Sequence, residues 1–182
     1  AFRPNTKAVF AESPGSQSFE MQDVPAIADI THSRDALLLI DNTWATPLYF
    51  RSFDKGADVT IQAATKYIGG HSDVMMGSIT TANEALFGQI RPTAAILGAC
   101  PGPDQCFLAL RGLRTLSVRL ARHQENARIL MDWLDARPEV DRILSPAHPD
   151  DPGYESWKRD FSGATGLGGV VFDAGFEAPP NL

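Results

Sequence analysis

Residues 58–77 read DVTIQAATKYIGGHSDVMMG, a short strand-like run that continues into small and polar residues around a single lysine, Lys66. A lysine that is only solvated usually has polar neighbours on a helix face, whereas Lys66 follows two alanines and Thr65 and is soon followed by two glycines. This context indicates either a lysine used for chemistry or a lysine whose aliphatic stem is buried. The rest of the chain has to distinguish these alternatives.

The sequence on either side of Lys66 predicts the strands of one sheet. Residues 6–11 (TKAVFA) end in a Glu-Ser-Pro-Gly turn, and residues 58–63 and 77–81 flank the lysine. Residues 36–40 (ALLLI) are continuously apolar, which is typical of a strand covered by helices on both faces of a parallel sheet. Asp41 follows this run, so we expect it beyond the carboxyl end of the strand, where ligands gather in open α/β sheets. An ordinary turn-forming aspartate is the alternative.

Helices are predicted from capping residues and from apolar residues at helical spacing. Asp23 would cap a helix that runs to about residue 33, with an apolar stripe of Val24, Ile27, Ala28 and Ile30. The later elements are a helix at 83–97 that Pro92 kinks or splits, a loop at 98–104, a short helix at 105–110, a long helix at 115–137, strands at 140–144 and 168–172, and a loop or helical turn at 154–161.

The alternation of strands and helices over the first hundred or so residues predicts an α/β fold with a mostly parallel sheet flanked by helices. We expect residues 1–112 to be part of a large domain. Residues 113–182 are expected to form a connecting helix and the first part of a smaller α+β C-terminal domain. The chain starts without Met and ends in a Pro-rich piece, so we expect it to be an excerpt of a longer protein.

The composition limits the classes of partner. The chain has 43% hydrophobic and 21% charged residues, as in ordinary globular proteins, and its net charge of −6 favours no binding to nucleic acid. No apolar run approaches the roughly 18–20 residues that span a membrane, and no signal-peptide pattern is present, so we expect a cytoplasmic protein. Cys100 and Cys106 lack the spacing of a metal site or a redox pair and are expected to be buried free thiols.

Two groups of polar residues have simpler structural explanations. His71-Ser72-Asp73 contains the residue types of a hydrolytic triad, but adjacent residues cannot align as nucleophile, base and orienting group. Neither a GxSxG elbow nor a nucleotide phosphate loop is present. His123 falls on the apolar stripe of the long helix and is expected to be a hydrogen-bonded core residue, while the arginine-rich remainder of this helix is expected to face solvent or another domain.

Asp41 and Lys66 together point to a more specific chemistry. A lysine amine forms Schiff bases with carbonyl groups. In enzymes that use pyridoxal 5'-phosphate (PLP), such a lysine holds the cofactor aldehyde, and a carboxylate pairs with the protonated pyridine nitrogen, which keeps the ring an electron sink. Both groups are predicted here at the ends of successive strands.

Several motifs share the order and spacing of one known family: ESP at 12–14, DNTWATP at 41–47, ATKY and GHSD within 64–73, and RGLRTL at 111–116. Over essentially the whole chain, they resemble the Cys/Met-metabolism family of PLP-dependent enzymes. The resemblance implies the large domain of the fold-type I PLP-dependent transferases, incomplete in this chain. Within the family, Trp44, QAATK at 62–66 and WKRDFSG at 157–163 are most similar to bacterial cystathionine β-lyases.

This resemblance implies roles for three residues. Lys66 would be the catalytic residue, which binds the cofactor aldehyde as a Schiff base and moves the proton of the substrate Cα. Asp41 would pair with the pyridine nitrogen, and Thr65 would bind the cofactor phosphate. Many relatives have a second phosphate-binding serine where this chain has Ala63. The phosphate loop, the ring-stacking tyrosine, a Tyr-x-Arg pair from a neighbouring subunit and the arginine for the substrate carboxylate are expected outside residues 1–182.

The resemblance also implies a reaction and an assembly. The reaction is α,β-elimination of L-cystathionine to homocysteine, pyruvate and ammonia in methionine biosynthesis, and the assembly is a homotetramer built as a dimer of dimers. The alternatives are a γ-acting relative (cystathionine γ-lyase, γ-synthase or methionine γ-lyase) and a degenerate family member without catalysis. We expect the isolated 182-residue piece to be incomplete as an enzyme.

Overall fold

The computed structural model describes residues 2–175 and contains two sheets. The strands are β1 (Ala8–Glu12), β2 (Leu37–Asp41), β3 (Val59–Gln62), β4 (Ser78–Thr80), β5 (Val140–Leu144) and β6 (Gly169–Phe172). The first sheet has the order β1-β2-β3-β4, in which β1, β2 and β3 are parallel and β4 is antiparallel to β3. Strands β5 and β6 form a separate antiparallel pair.

Helices follow β1, β2 and β4 in the chain, whereas β3 leads to β4 without a helix between them. They are α1 (Val24–His32), α2 (Thr46–Tyr49), α3 (Glu84–Ile96), α4 (Pro103–Leu113), α5 (Leu116–Asp135) and α6 (Tyr154–Asp160), with a short 3-10 turn at Ser52–Lys55. The predicted α/β fold with a mostly parallel sheet is confirmed. Within residues 2–175, no helix is both long and apolar enough to cross a membrane.

Strand β2 lies in the middle of the core but is not covered equally on both sides. Leu38 and Ile40 are fully buried, whereas Leu37 and Leu39 on the other face are only partly buried. The predicted burial of both faces is therefore wrong for one of them. Of the helices in the described part of the chain, α1 packs most closely against this strand.

Helix α1 begins at the predicted cap and buries its predicted apolar stripe except at Ile30. The Asp23 carboxylate accepts a hydrogen bond from a backbone N–H of the first turn. Val24, Ala28 and Thr31 are buried, whereas Ile30 is exposed. The steps of four and three residues between the buried positions follow the helical repeat, so Ile30 falls on the solvent side.

Pro92 does not split helix α3, which is a single helix capped by Asn83. Proline removes one intrahelical donor and leaves the carbonyl four residues earlier, that of Gly88, without its usual partner. This part of α3 is exposed, so water can satisfy that carbonyl.

Helix α4 is longer than predicted, because it starts at Pro103 and continues through Gly112. Its start is stabilised by the side chain of Gln105, which accepts a hydrogen bond from the Gly102 N–H at 2.8 Å. Proline at the first helical position lacks an N–H that would have had no partner there.

The two cysteines are free thiols, as predicted, but the prediction that they are buried is wrong. Cys100 lies in the loop before α4, and Cys106 lies on the face of α4 near Phe107 and Leu110, which are also exposed. Nothing in the described part of the chain covers this face.

Helix α5 lies within two residues of its predicted bounds at each end, but its apolar stripe is only partly buried. Leu116 and Leu120 pack into the interior, whereas Leu130 in the second half is exposed. Helical spacing therefore located the helix correctly but not the extent of its buried face.

Aromatic side chains connect the loops of the first sheet to the C-terminal segment. The rings of Phe50 and Phe161 stack with centroids 4.3 Å apart, and Trp44 packs edge-on against Phe161. The Trp44 indole N–H donates a hydrogen bond to the Leu167 carbonyl at 3.0 Å. The loop that follows Asp41 is thereby attached to residues more than a hundred positions later in the chain.

A buried carboxylate forms a second connection between the same regions. Asp160 accepts hydrogen bonds from Lys55, at 3.0 Å, and from Arg159, whose guanidinium also binds Asp23. Burial acts to raise the pKa of Asp160, but the hydrogen bonds from Arg159 and Lys55 outweigh it and leave the pKa below its usual value.

Asp160→Asn in the full-length protein is expected to lower the free energy of unfolding by about 1.5–3 kcal/mol, the usual value for hydrogen bonds to a charged group. Because the folded-state pKa is lowered, this stabilisation is complete above the unfolded pKa of about 3.9 and is lost as the pH falls through the folded pKa. Urea unfolding at pH 7 and below pH 4 measures both effects.

The matched control is Asp54→Asn, since Asp54 pairs with Arg51 on an exposed surface. We expect this control to change the urea midpoint little at either pH. An Asp160→Asn protein that unfolds at the wild-type midpoint at pH 7 would contradict a stabilising role of the buried pair.

Candidate active site

The parallel strands β2 and β3 end at the same edge of the sheet, and their loops are bonded to each other. Asp41 is the last residue of β2 and lies in register with Ile61 of β3. Its Oδ1 accepts the Thr43 N–H at 2.8 Å, and the Thr43 hydroxyl accepts the Ala63 N–H at 2.8 Å. Asp41 is thus the last residue of β2 rather than a residue beyond it, and Lys66 follows the end of β3 at the same edge of the sheet.

Asp41 has one oxygen that the fold does not use. Its carboxylate is partly buried, and within residues 2–175 its Oδ2 makes no hydrogen bond. The turn that the sequence left as an alternative is also present, because Oδ1 binds a backbone N–H two residues further on. The second oxygen leaves a charged acceptor at the edge of the sheet.

Lys66 follows β3 in a turn that its own N–H closes onto the Ala63 carbonyl at 2.9 Å. Its side chain is exposed, and it makes no hydrogen bond or ion pair with any residue in the described part of the chain. The alternative of a lysine with a buried stem is therefore wrong. Its amine is available to a ligand.

Thr65 uses its hydroxyl to fix the backbone on the far side of the same loop. The hydroxyl accepts the Met76 N–H at 2.9 Å and donates to the Met76 carbonyl at 3.2 Å. A hydroxyl has one proton to donate, so binding an anion would require this proton to turn away from the carbonyl. The accepted hydrogen bond can persist during that rotation.

Lys66 and Thr65 line an open cavity of about 830 Å³. The other lining residues are Tyr67, Gly70, Ser72, Asp73, Val74, Met75, Arg119, His123 and Leu167. Asp41 does not line this cavity, although it lies at the neighbouring strand end. The structure brings Lys66 and Thr65 together in one space and places Asp41 beside it.

Residues 63–77, which we call the lysine loop, are held by the end of helix α4. At Gly112 a Cβ atom would overlap the carbonyl oxygens of Ile68 and Gly69, so only glycine allows this close approach. Arg111, the residue before it, forms an ion pair with Asp73. A glycine in a sequence often signals the end of a helix. The close approach of the lysine loop explains why Gly112 lies inside α4 instead.

The His71-Ser72-Asp73 sequence does not form a triad. The His71 ring nitrogen Nδ1 lies 2.8 Å from the Gly69 carbonyl, and the Asp73 carboxylate pairs with Arg111. Neither group is bonded to the Ser72 hydroxyl in the described part of the chain. The hydrogen bond of His71 and the ion pair of Asp73 therefore stabilise the lysine loop.

Helix α5 supplies two cavity residues that the sequence assigned elsewhere. His123 is exposed and lines the cavity, so its expected place in the core is wrong; its ring lies 6.0 Å from that of Tyr67. Arg119, expected on a solvated or interdomain face, donates to the Tyr67 carbonyl at 2.8 Å. Helical spacing does not reveal either contact, because both depend on where the lysine loop crosses α5.

Burial raises the pKa of the Tyr67 phenol, which therefore stays protonated at neutral pH. Burial also lowers the pKa of Arg119 from its usual value, but a guanidinium remains charged in proteins. The cavity wall next to Lys66 thus carries a neutral phenol and a fixed positive charge.

The groups at this edge suit PLP by their chemistry. A free primary amine can bind an aldehyde, a carboxylate oxygen without a partner can accept a hydrogen bond from a protonated ring nitrogen, and a hydroxyl can donate to a phosphate. Lys66, Asp41 and Thr65 supply one of each. Ala63 offers no second hydroxyl, and its N–H is already bonded to Thr43.

Residues 1–178 match the protein family described as Cys/Met metabolism PLP-dependent enzyme. The chain is 47% identical over 167 residues to the cystathionine beta-lyase of Escherichia coli (strain K12), covering 91% of this chain and 42% of that protein. It is 41% identical over 172 residues to the cystathionine gamma-lyase of Dictyostelium discoideum, covering 94% of this chain and 44% of that protein.

A solved structure, that of cystathionine gamma-lyase from Lactobacillus plantarum complexed with L-serine, superposes with a TM-score of 0.93 at 32% identity. The match covers 96% of this chain and 46% of that one. The chain thus spans less than half the length of these relatives. The family match over nearly all its residues shows that the chain belongs to the Cys/Met-metabolism family of PLP-dependent enzymes.

Proposed function

We propose that the full-length protein is a PLP-dependent carbon-sulfur lyase that cleaves L-cystathionine by α,β-elimination. The observation that carries this proposal is the exposed amine of Lys66, which has no hydrogen-bond or ion-pair partner among residues 2–175 and lies near the strand end that carries Asp41. The choice of β-elimination is supported by the higher sequence identity to the Escherichia coli β-lyase than to the Dictyostelium γ-lyase.

Three residues would hold the cofactor in this proposal. The Lys66 amine would bind its aldehyde, the free Oδ2 of Asp41 would accept a hydrogen bond from its protonated ring nitrogen, and the Thr65 hydroxyl would donate to its phosphate. When bound, PLP supplies an electron sink for the negative charge that develops at the substrate Cα. Further contacts would come from parts of the full-length protein outside this chain.

The residues of this chain would perform the proton transfer. With its amine free, Lys66 would take the proton from the substrate Cα at Nζ. The bond between Cβ and sulfur would then break with its electron pair on sulfur, and Lys66 would return the proton to that sulfur as homocysteine leaves. Water converts the remaining three-carbon fragment to pyruvate and ammonia, which balances the reaction.

We further propose the architecture that surrounds this site. Residues 1–112 would belong to the large PLP-binding domain, and residues 113–182 to the connecting helix and the C-terminal domain. The full-length protein would be a homotetramer, a dimer of dimers, that acts in the cytoplasm in methionine biosynthesis. Two exposed free thiols, Cys100 and Cys106, support a reducing compartment.

Product analysis of the full-length protein with L-cystathionine tests the proposal. β-Elimination yields pyruvate and homocysteine, whereas γ-elimination yields 2-oxobutyrate and cysteine. We expect pyruvate as the main oxo acid, measured by chromatography against both standards. Mainly 2-oxobutyrate would assign the protein to the γ-acting alternative, the activity named for the structural relative from Lactobacillus plantarum. If the PLP-loaded protein forms neither product, it would be a family member that does not catalyse this reaction.

A further inference from the structure

The guanidinium of Arg119 is the centre of a network that joins two helices to the lysine loop. Its Nη2 donates to the carbonyls of Tyr67 and Gly112, both at 2.8 Å. Its Nε donates to the Thr115 hydroxyl at 3.0 Å, and that hydroxyl is also bonded to the Gly112 carbonyl. The guanidinium is therefore fixed by the Thr115 hydroxyl at the start of α5, by the Gly112 carbonyl in α4 and by the Tyr67 carbonyl in the lysine loop.

The lysine loop is shaped to accept this guanidinium. Gly70 has φ of +72°, and a Cβ atom there would overlap the Arg119 side chain. Glycine is thus suited to the position both by its backbone conformation and by the absence of a side chain. The lysine loop therefore approaches Arg119 closely at Gly70, just as its carbonyls at Ile68 and Gly69 approach Gly112 closely.

The other arginines of helix α5 differ from Arg119. The side chains of Arg122 and Arg128 are 68% and 69% exposed, and each pairs only with an acidic residue on the same helix. Pairs of this kind contribute little to stability. Arg119 is partly buried, and its hydrogen bonds reach a loop 52 positions earlier in the chain.

Lys66 depends on its backbone for its position. Since its side chain has no partner among residues 2–175, the direction of its amine is set by the residues on either side. On the N-terminal side the Thr65 hydroxyl binds Met76, and on the C-terminal side Arg119 binds the carbonyl of Tyr67. Arg119 thus fixes the peptide bond between Tyr67 and Ile68, one residue after the lysine.

We propose that Arg119 is a positioning residue, which holds the lysine loop so that the Lys66 amine is presented to the cofactor in one orientation. The inference rests on the proposed function, because it presumes that Lys66 binds PLP. Arg119 acts through Tyr67 and Gly112 and need not contact substrate or cofactor. Its loss should weaken the hold on the cofactor more than it weakens the fold.

The test uses the full-length PLP-loaded protein with Arg119→Met, Arg119→Lys and the matched control Arg122→Met. Hydroxylamine is added, and the loss of the visible absorbance of lysine-bound PLP gives the rate of cofactor release. We expect release to be about tenfold faster in Arg119→Met, since charge-assisted hydrogen bonds to the loop are lost. Arg119→Lys, which keeps charged donors, should stay within about threefold of wild type. Arg122→Met should match wild type.

The urea midpoints of the cofactor-free proteins show whether a substitution lowers the stability of the whole fold or acts only on the position of the lysine loop. The inference would be overturned if Arg119→Met releases PLP at the wild-type rate. It would also be overturned if Arg119→Lys and Arg122→Met accelerate the release as much as Arg119→Met does. If Arg119→Met does not fold, Arg119→Gln takes its place with the same expected direction. A wild-type protein without visible absorbance would instead refute the proposed function, so the two failures can be distinguished.

Discussion

Lys66→Ala in the full-length protein is expected to abolish the visible absorbance of bound PLP and to reduce turnover of L-cystathionine by more than about 10³-fold. The physical reason is that one amine performs two tasks, binding the aldehyde and moving the Cα proton. General acid–base catalysis alone typically contributes about 10²- to 10⁴-fold. The exposed Lys66 side chain makes no hydrogen bond or ion pair with residues 2–175, so the variant should keep the wild-type urea midpoint.

Lys158→Ala is the matched control for this substitution. Lys158 is exposed on α6, and its ammonium lies 5.7 Å from the ring of Tyr154, which is a weak surface contact. We expect both the absorbance and the turnover of this control to be those of wild type. Normal turnover in Lys66→Ala would remove Lys66 from the mechanism.

Asp41→Asn is expected to reduce turnover by about 10²- to 10³-fold while PLP remains bound. An amide cannot keep the ring nitrogen protonated as a carboxylate does, so the ring becomes a poorer electron sink. The asparagine oxygen can still accept the Thr43 N–H, so the turn after β2 should be preserved. Steady-state kinetics and the visible spectrum of the loaded protein measure the two effects separately.

Asp29→Asn is the control, because Asp29 is an exposed aspartate on α1, away from the edge where β2 ends. Its kinetics should match wild type. Wild-type turnover in Asp41→Asn would show that the carboxylate at the end of β2 serves only the turn.

The sequence was sufficient for the elements that local patterns determine. The apolar run before Asp41 specified β2 to within a residue, and Asp23 and Asn83 specified helix starts through their capping bonds. Lys66 and Asp41 could be selected because their residue types and strand-end positions carry the chemistry themselves. These inferences need little knowledge of how distant segments meet.

Contacts between distant segments could not be predicted in the same way. Gly112 signals a helix end in isolation, and only the packing of the lysine loop on α4 shows why the helix continues through it. Arg119 and His123 lie on a helix whose charge pattern favours solvent, yet the loop crosses α5 at these residues. A weak signal for Arg119 was present, since Thr115 lies one helical turn earlier and can fix a guanidinium.

The central claim is that Lys66 is the residue that binds PLP, and it can be tested directly. The full-length protein is loaded with PLP, reduced with borohydride to fix the cofactor to its lysine, and digested for mass spectrometry. We expect the pyridoxyl group on the peptide that contains Lys66. A pyridoxyl group found reproducibly on another lysine, with the Lys66 peptide unmodified, would contradict it.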